Sequence, residues 1–249
     1  MSGGLRIRDL PSPNQDDRPG DVPVDILILH YTDMQTGQAA IDRLRDPVAR
    51  VSSHYVVEED GAVFRLVPEE RRAFHAGISS WRGHSLLNAR SIGIEVVNPG
   101  HSCGYRPFPA LQMAAVCDLC LEILGRWPIP ARNVVAHSDV APDRKRDPGE
   151  LFDWEGLAAN GVGLWPDGVP GGSLEPVPDG AARALPLLGA IGYPLDPARP
   201  DIALAAFQRH WRQEAVTGHA DAGTLARLEA VARLCDSLDG LEDVARRAG

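Results

Sequence analysis

Cysteine is scarce and irregular in this chain. Cys103, Cys117, Cys120 and Cys235 show no repeated spacing of a disulfide framework, which reads as reduced thiols in a reducing compartment. Cys117-x-x-Cys120 resembles half of a metal or redox site, but it lies in a helical apolar pattern with no second pair, so both are expected to pack as small hydrophobes. Positive charge is in deficit, with 25 Lys and Arg against 34 Asp and Glu and a net charge of -9, which argues against a general nucleic-acid or anionic-membrane binder. No run approaches the roughly 20 apolar residues of a membrane span. The first 20 residues, MSGGLRIRDLPSPNQDDRPG, lack the apolar segment of a secretory signal. These absences predict a cytoplasmic protein, or a periplasmic one whose leader has been removed. The protease helix motif H-E-x-x-H is missing as well. The length of 249 residues allows one large domain, or a larger and a smaller one each with its own core.

What is present centres on residues 133–149, NVVAHSDVAPDRKRDPG. Val134 and Val135 read as the end of a buried strand that holds His137 on a rigid element at the edge of a cleft. The loop beyond it carries Lys145 and returns Asp147. Far upstream, the apolar run at residues 24–29 also ends on a histidine, His30. Two histidines at strand ends and one loop carboxylate make an N/N/O donor set. Three protein ligands with a fourth position left to water is the arrangement of a catalytic zinc, whereas structural zinc is normally closed by four. A third strand-like run, SIGIEVVN at residues 91–98, places Glu95 inside an apolar sequence. Beside a zinc-bound water a buried glutamate has a role as general base.

Taken together and in order, DILILHYT, VSSHYVVEEDG, FHAGISSW, SIGIEVVN and AHSDVAPDRKRDPG resemble the type 2 zinc-dependent N-acetylmuramoyl-L-alanine amidases, the AmiD/AmpD and peptidoglycan-recognition-protein kind. The resemblance runs from about residue 24 to residue 154. It implies an α/β fold with a mixed central sheet flanked by helices. It also implies hydrolysis of the amide between N-acetylmuramic acid, including 1,6-anhydro forms, and L-alanine, on muropeptides or the sacculus. Glu95 and Lys145 match the family's catalytic pair, with Zn2+ on His30, His137 and Asp147. The family's cleft segment aligns with His75, which is carried over as a substrate contact. Two other classes stay open at this stage: a recognition module that binds muropeptide without cleaving it, and a zinc peptidase acting within the stem peptide.

Along the rest of the chain, residues 1–20 read as an extended arm. A helix is predicted over 37–45, stopped before Asp46-Pro47. Two β-prone runs at 52–57 and 62–67, joined by Glu-Glu-Asp-Gly, predict a hairpin. His54 reads as structural, and His84 and His101 as solvated loop residues. Trp81 and Arg82 have two readings, a sugar-stacking and carboxylate-binding pair or an anchor in a surface loop. Asn88 and Asn98 are candidate hydrogen-bond donors to a muramyl peptide, with turn chemistry the other reading of Asn98-Pro99. The turn-rich segment 166–180 predicts a linker, dividing a catalytic domain at 21–165 from a helical domain at 181–249. The pattern IGYPLD, ALAAFQRHW, VTGHADAGTLARL resembles the three-helix peptidoglycan-binding domain of wall-active hydrolases, which implies a separately folded tail. A helical dimerisation module is the other reading.

Overall fold

The computed structural model describes residues 5–169 and 171–248, with side chains described through residue 238. In chain order the elements begin with β1 (Ile7–Asp9), β2 (Gln15–Asp17), β3 (Ile26–Tyr31), α1 (Gly37–Arg45), β4 (Tyr55–Val57), β5 (Val63–Arg65) and β6 (Arg71–Ala73). Then come β7 (Ser80–Trp81), β8 (His84–Ser85), β9 (Ser91–Val96), α2 (Gly100–Cys103), α3 (Ala110–Arg126), β10 (Val134–Ala136) and α4 (His137–Val140). The chain closes with α5 (Trp154–Ala159), α6 (Gly180–Ile191), α7 (Pro200–Trp211) and α8 (Ala222–Ala248). The expected α/β architecture is what the chain adopts.

One six-stranded sheet, in the order β1-β5-β4-β9-β3-β10, carries the fold. All its pairings are parallel except the β4–β5 hairpin, whose turn closes on Gly61 at φ 84°. Every residue of β3 is buried, as a near-continuous apolar strand must be when helices cover both faces of a parallel sheet. Alternation sends Leu27 and Leu29 to one face, where Ile92, Ile94, Val134 and the apolar side of α3 close over them. Cys120 belongs to that layer, and none of Cys103, Cys117, Cys120 and Cys235 forms a disulfide among the described residues.

The other face carries Ile26, Ile28 and Val135, and it is divided along the strands. Over this end it is covered by Trp81, Leu87 and the C-terminal helices, through Leu188, Leu204, Phe207 and Leu228. Beside β4 it is covered by α1, through Ile41 and Leu44 against Val56. Between these two covers, at the carboxyl ends of β3 and β9, the face stays open.

Two expectations change here. The segment read as an arm is integral to the domain: β1 adds the sheet's edge strand and β2 pairs with β6. Arg18 donates to the carbonyls of Glu69, Ala89 and Ser91. Residues 1–4 of that segment, and residue 249 of the expected tail domain, lie outside the described residues. The tail forms three helices, and their apolar side is continuous with that of the sheet, since Ile26, Ile28 and Val135 belong to the same buried cluster as Leu188, Leu204, Phe207 and Leu228. Helical periodicity shows that an apolar stripe exists; it does not show what the stripe packs against.

A chain ending near Gly172 would therefore bare Ile26, Ile28, Val135, Val140 and Trp81. Each buried side chain of this size is worth about 1.5–3 kcal/mol, against a total stability of about 5–15 kcal/mol. The truncated chain is expected to be insoluble or to melt well below the full chain in a thermal unfolding scan. An unchanged Tm would show that the shared core contributes nothing.

Candidate active site

The open end of the sheet is organised by strand register. In the parallel β3–β9 pair, His30 lies opposite Glu95 and Ile28 opposite Gly93, so these side chains share a face. On the other flank β10 pairs with β3 as far as Ala136 opposite Leu29, and the next residue, His137, opens α4. Asp147 returns on the loop after α4, where its carbonyl accepts the Ser138 N–H at 2.9 Å. The three predicted donors meet: His30 Nδ1 and His137 Nδ1 are 2.8 Å apart, and Asp147 Oδ2 lies 3.0 Å from the first and 2.9 Å from the second. All three residues are buried.

Hydrogen bonding behind the cluster fixes which nitrogens carry protons. The Ser91 hydroxyl donates to the Leu87 carbonyl at 2.6 Å, so it accepts from His75 Nε2 at 3.2 Å. The other nitrogen of His75, Nδ1, is then bare and accepts from His30 Nε2–H at 3.0 Å. That leaves His30 Nδ1 a lone pair. His137 Nε2–H donates to the Ala76 carbonyl at 3.2 Å, which leaves His137 Nδ1 a lone pair too. Burial, then the neighbouring His137, holds His30 down to about 4, and burial holds His75 well below the ordinary histidine range; both rings are neutral at pH 7. With the His30 and His137 rings both in the neutral form that binds a metal, two lone pairs and a carboxylate oxygen converge with no donor among them. Such an arrangement repels itself unless a cation sits between the three, and their spacing suits ligand atoms sharing one ion at bonds of about 2.0–2.2 Å. The residues fit a metal ion.

Glu95 lies beside this cluster. Its Oε2 is enclosed and has no hydrogen-bond partner among the described residues. Burial, and then the charge of Asp147, raise its carboxyl well above the usual range, and Lys145 opposes them. Glu95 and Lys145 line one cavity of about 460 Å³ together with His137, Asp147, His75 and Tyr31. Lys145 is the only lysine in a chain with 25 basic Lys and Arg residues. Unlike the planar fork of arginine, its ammonium is a compact charge on a flexible stem; composition alone could have singled it out.

The expected substrate contacts fare differently. His75 borders the cavity but its ring is held between His30 and Ser91, so it orients a metal donor. Gly93 makes room for it, since a Cβ there would overlap the His75 ring. Asn88 faces inward: its Oδ1 accepts from the N–H groups of His75 and Ala76 at 3.1 and 2.7 Å. Asn98 is buried, accepting from Gly100 N–H at 3.0 Å and donating to the Arg106 carbonyl at 2.7 Å, which is the turn reading. Trp81 is a core residue, with its indole N–H on Asn133 Oδ1 at 3.2 Å and its ring edge-on to Tyr193. Arg82 reaches the Ile191 carbonyl at the end of α6, so that loop is an anchor to the C-terminal helices. Residue type marks these side chains as able to bind sugars or peptides, but the interior claimed their polar atoms.

His54 is structural as expected, accepting from Gly93 N–H at 2.9 Å, and His84 is exposed. His101, read as solvated, instead borders the cavity. It lies 2.8 Å from the Tyr31 hydroxyl, 3.2 Å from Glu150, and stacks on Tyr105. No periodic signal marks it, because it sits in a short helix between two loops.

The fold and the site together have the form of a hydrolase centre, with three side chains that could hold a metal ion at the carboxyl ends of parallel strands and beside them an acid whose Oε2 has no hydrogen-bond partner among the described residues. A family profile described as N-acetylmuramoyl-L-alanine amidase matches residues 20–150, more than half of the chain. Among curated relatives, the N-acetylmuramoyl-L-alanine amidase AmiD of Escherichia coli strain K12 is 39% identical over 84% of this chain and 82% of its own. The 1,6-anhydro-N-acetylmuramyl-L-alanine amidase AmpD of Citrobacter freundii is 36% identical over 59% of this chain and 86% of its own. Among solved structures, the complex of AmiD from E. coli with the substrate anhydro-N-acetylmuramic acid-L-Ala-D-gamma-Glu-L-Lys superposes with a TM-score of 0.78 and 36% identity, covering 88% of this chain and 92% of that one. The chain belongs to the N-acetylmuramoyl-L-alanine amidase family.

His75→Ala removes the acceptor that fixes the His30 tautomer while leaving all three donors in place. It is expected to weaken metal binding about 10- to 100-fold, the usual effect of losing such a partner. Competition against a chelator measures it, and an unchanged affinity would contradict the orienting role.

Proposed function

We propose that this protein is a zinc amidase that cleaves the bond between the lactyl carbonyl of N-acetylmuramic acid, including its 1,6-anhydro form, and the L-alanine of the stem peptide. The observation that carries the reading is the juxtaposition of three converging donor atoms with an enclosed Glu95 Oε2 that has no hydrogen-bond partner among the described residues, within a chain of the amidase family. The substrate class follows the AmiD complex with an anhydromuramyl peptide.

His30, His137 and Asp147 would hold the zinc, which supplies a Lewis acid for the scissile carbonyl and lowers the pKa of water from about 15.7 to near 7. The Glu95 carboxylate takes the proton of the attacking water and returns it to the departing alanine nitrogen, the two halves of general base and acid catalysis. No donor among the described residues competes for its Oε2. The Lys145 ammonium faces the charge that grows on the carbonyl oxygen, and a fixed cation in a confined cleft lowers the barrier because it needs no reorganisation. His75 and the Ala76 carbonyl keep both imidazoles bare toward the centre throughout. A recognition module without activity would have no use for an enclosed acid next to a complete donor set.

We further propose that residues 181–249 add affinity for polymeric peptidoglycan by tethering the enzyme to its substrate, on the strength of their motif resemblance. No helix among the described residues is long and apolar enough to cross a membrane.

Incubation with a soluble anhydromuropeptide is expected to release free anhydromuramyl sugar and stem peptide. Glu95→Gln should retain zinc and lower kcat about a hundredfold or more. Lys145→Ala should lower kcat more than it raises KM, because the charge it meets exists mainly in the transition state. Release of amino acids from within the stem peptide, with the muramyl amide intact, would instead make the enzyme a peptidase. Failure of the full chain to pellet with insoluble sacculi would remove the tethering role.

A further inference from the structure

The metal donor His137 opens α4, a single turn of four residues. One turn closes too few hydrogen bonds to hold itself, so outside contacts must set its orientation. Ser138 N–H on the Asp147 carbonyl ties it to the third donor. Beyond its contacts with β3, β7 and β10, α4 is held from the C-terminal helices by contacts that converge on Asp139, two residues after His137. Asp139 is fully buried. Its Oδ2 accepts from Ala136 N–H at 2.8 Å and from His210 Nδ1–H at 2.6 Å, and its Oδ1 accepts from the Tyr193 hydroxyl at 2.6 Å. Tyr193 in turn accepts from the Trp211 indole N–H at 3.1 Å. The His210 ring is stacked between Trp154 and Trp211, with centroids 3.8 and 4.0 Å away, so it is held in place.

We infer that Asp139, Tyr193 and His210 form a lock through which the C-terminal helices position His137, making those helices part of the metal centre as well as a candidate wall-binding unit. Tyr193 and His210 are positioning residues: they act on the metal through Asp139 and the α4 turn, and they do not touch the reacting atoms. A buried carboxylate that loses one of its donors is left under-satisfied, and it regains hydrogen bonds only by moving the turn it sits on. The inference rests on His137 being a metal ligand.

The test uses the full chain and Zn2+ alone as the probe. Zinc affinity is read by chelator competition well below the unfolding temperature, and Tm, kcat and KM are measured alongside. Tyr193→Phe deletes one donor at nearly constant volume and is expected to weaken zinc binding on the order of tenfold, with kcat reduced and KM little changed. His210→Ala should weaken it further, and His210→Asn, which keeps a donor near the Nδ1 position, should recover part of the loss. Thr224→Val serves as the control. Its hydroxyl accepts from Gln208 and Arg212 within the same helices, at 3.0 and 2.6 Å, away from α4. It should lower Tm without changing zinc affinity. The lock is overturned if Tyr193→Phe and His210→Ala lower Tm as Thr224→Val does while zinc affinity and kcat stay at wild-type values. If His210→Ala fails to fold, Tyr193→Phe alone decides. Wild-type chain that binds no zinc would overturn the metal reading itself, an outcome distinct from wild-type binding that Tyr193→Phe leaves unchanged.

Discussion

The parallel pairing of β9, β3 and β10 is the constraint on which the rest of this structure depends. Parallel strands end together, so polar residues placed at or just past their carboxyl ends arrive at the same level of the sheet, where open α/β sheets bind their ligands. Register puts Glu95 opposite His30, and the last paired residue of β10 hands the chain to His137. Only Asp147 has to be brought in by a loop, and its carbonyl is bonded to the turn that carries His137. Two-sided burial of β3 then fixes the histidine in space, because its apolar neighbours cannot slip without exposing the core.

Electrostatics complete what the geometry starts. The rings of His30 and His137 each give their outer proton to a defined acceptor, so both turn lone pairs toward Asp147. Without an ion this is a cluster of acceptors at the bottom of a cavity, costly to keep buried. With one it is satisfied. The same burial leaves Glu95 Oε2 without a hydrogen-bond partner among the described residues, while Lys145 places a compact ammonium at the cavity in a chain whose other Lys and Arg positions are all arginines.

Much of this was legible in the sequence because polarity breaks an apolar run only for a reason. His30 after the four buried apolar residues at 26–29, Glu95 inside SIGIEV and His137 after Val-Val-Ala each stand out against their strand, and the hairpin announced itself through Asp60-Gly61. What was illegible concerns direction and distant packing. Trp81 and Asn88 have the chemistry of sugar and peptide contacts, yet whether such a side chain points into a cleft or into the core depends on neighbours as distant as Asn133 and Tyr193. The tail's apolar stripes are plain in the sequence. Their partner, the Ile26 and Ile28 side of β3, lies more than 150 residues away in the chain, and no local pattern names it.

Anomalous diffraction at the zinc edge, from crystals of the zinc-loaded protein, tests the central claim most directly. The account predicts one peak bonded to His30 Nδ1, His137 Nδ1 and Asp147 Oδ2, with the Glu95 carboxyl nearby but not a ligand and His75 Nδ1 still on His30 Nε2. A peak that takes Glu95 or His75 as a ligand, or that lies away from the ends of β3 and β10, would contradict it.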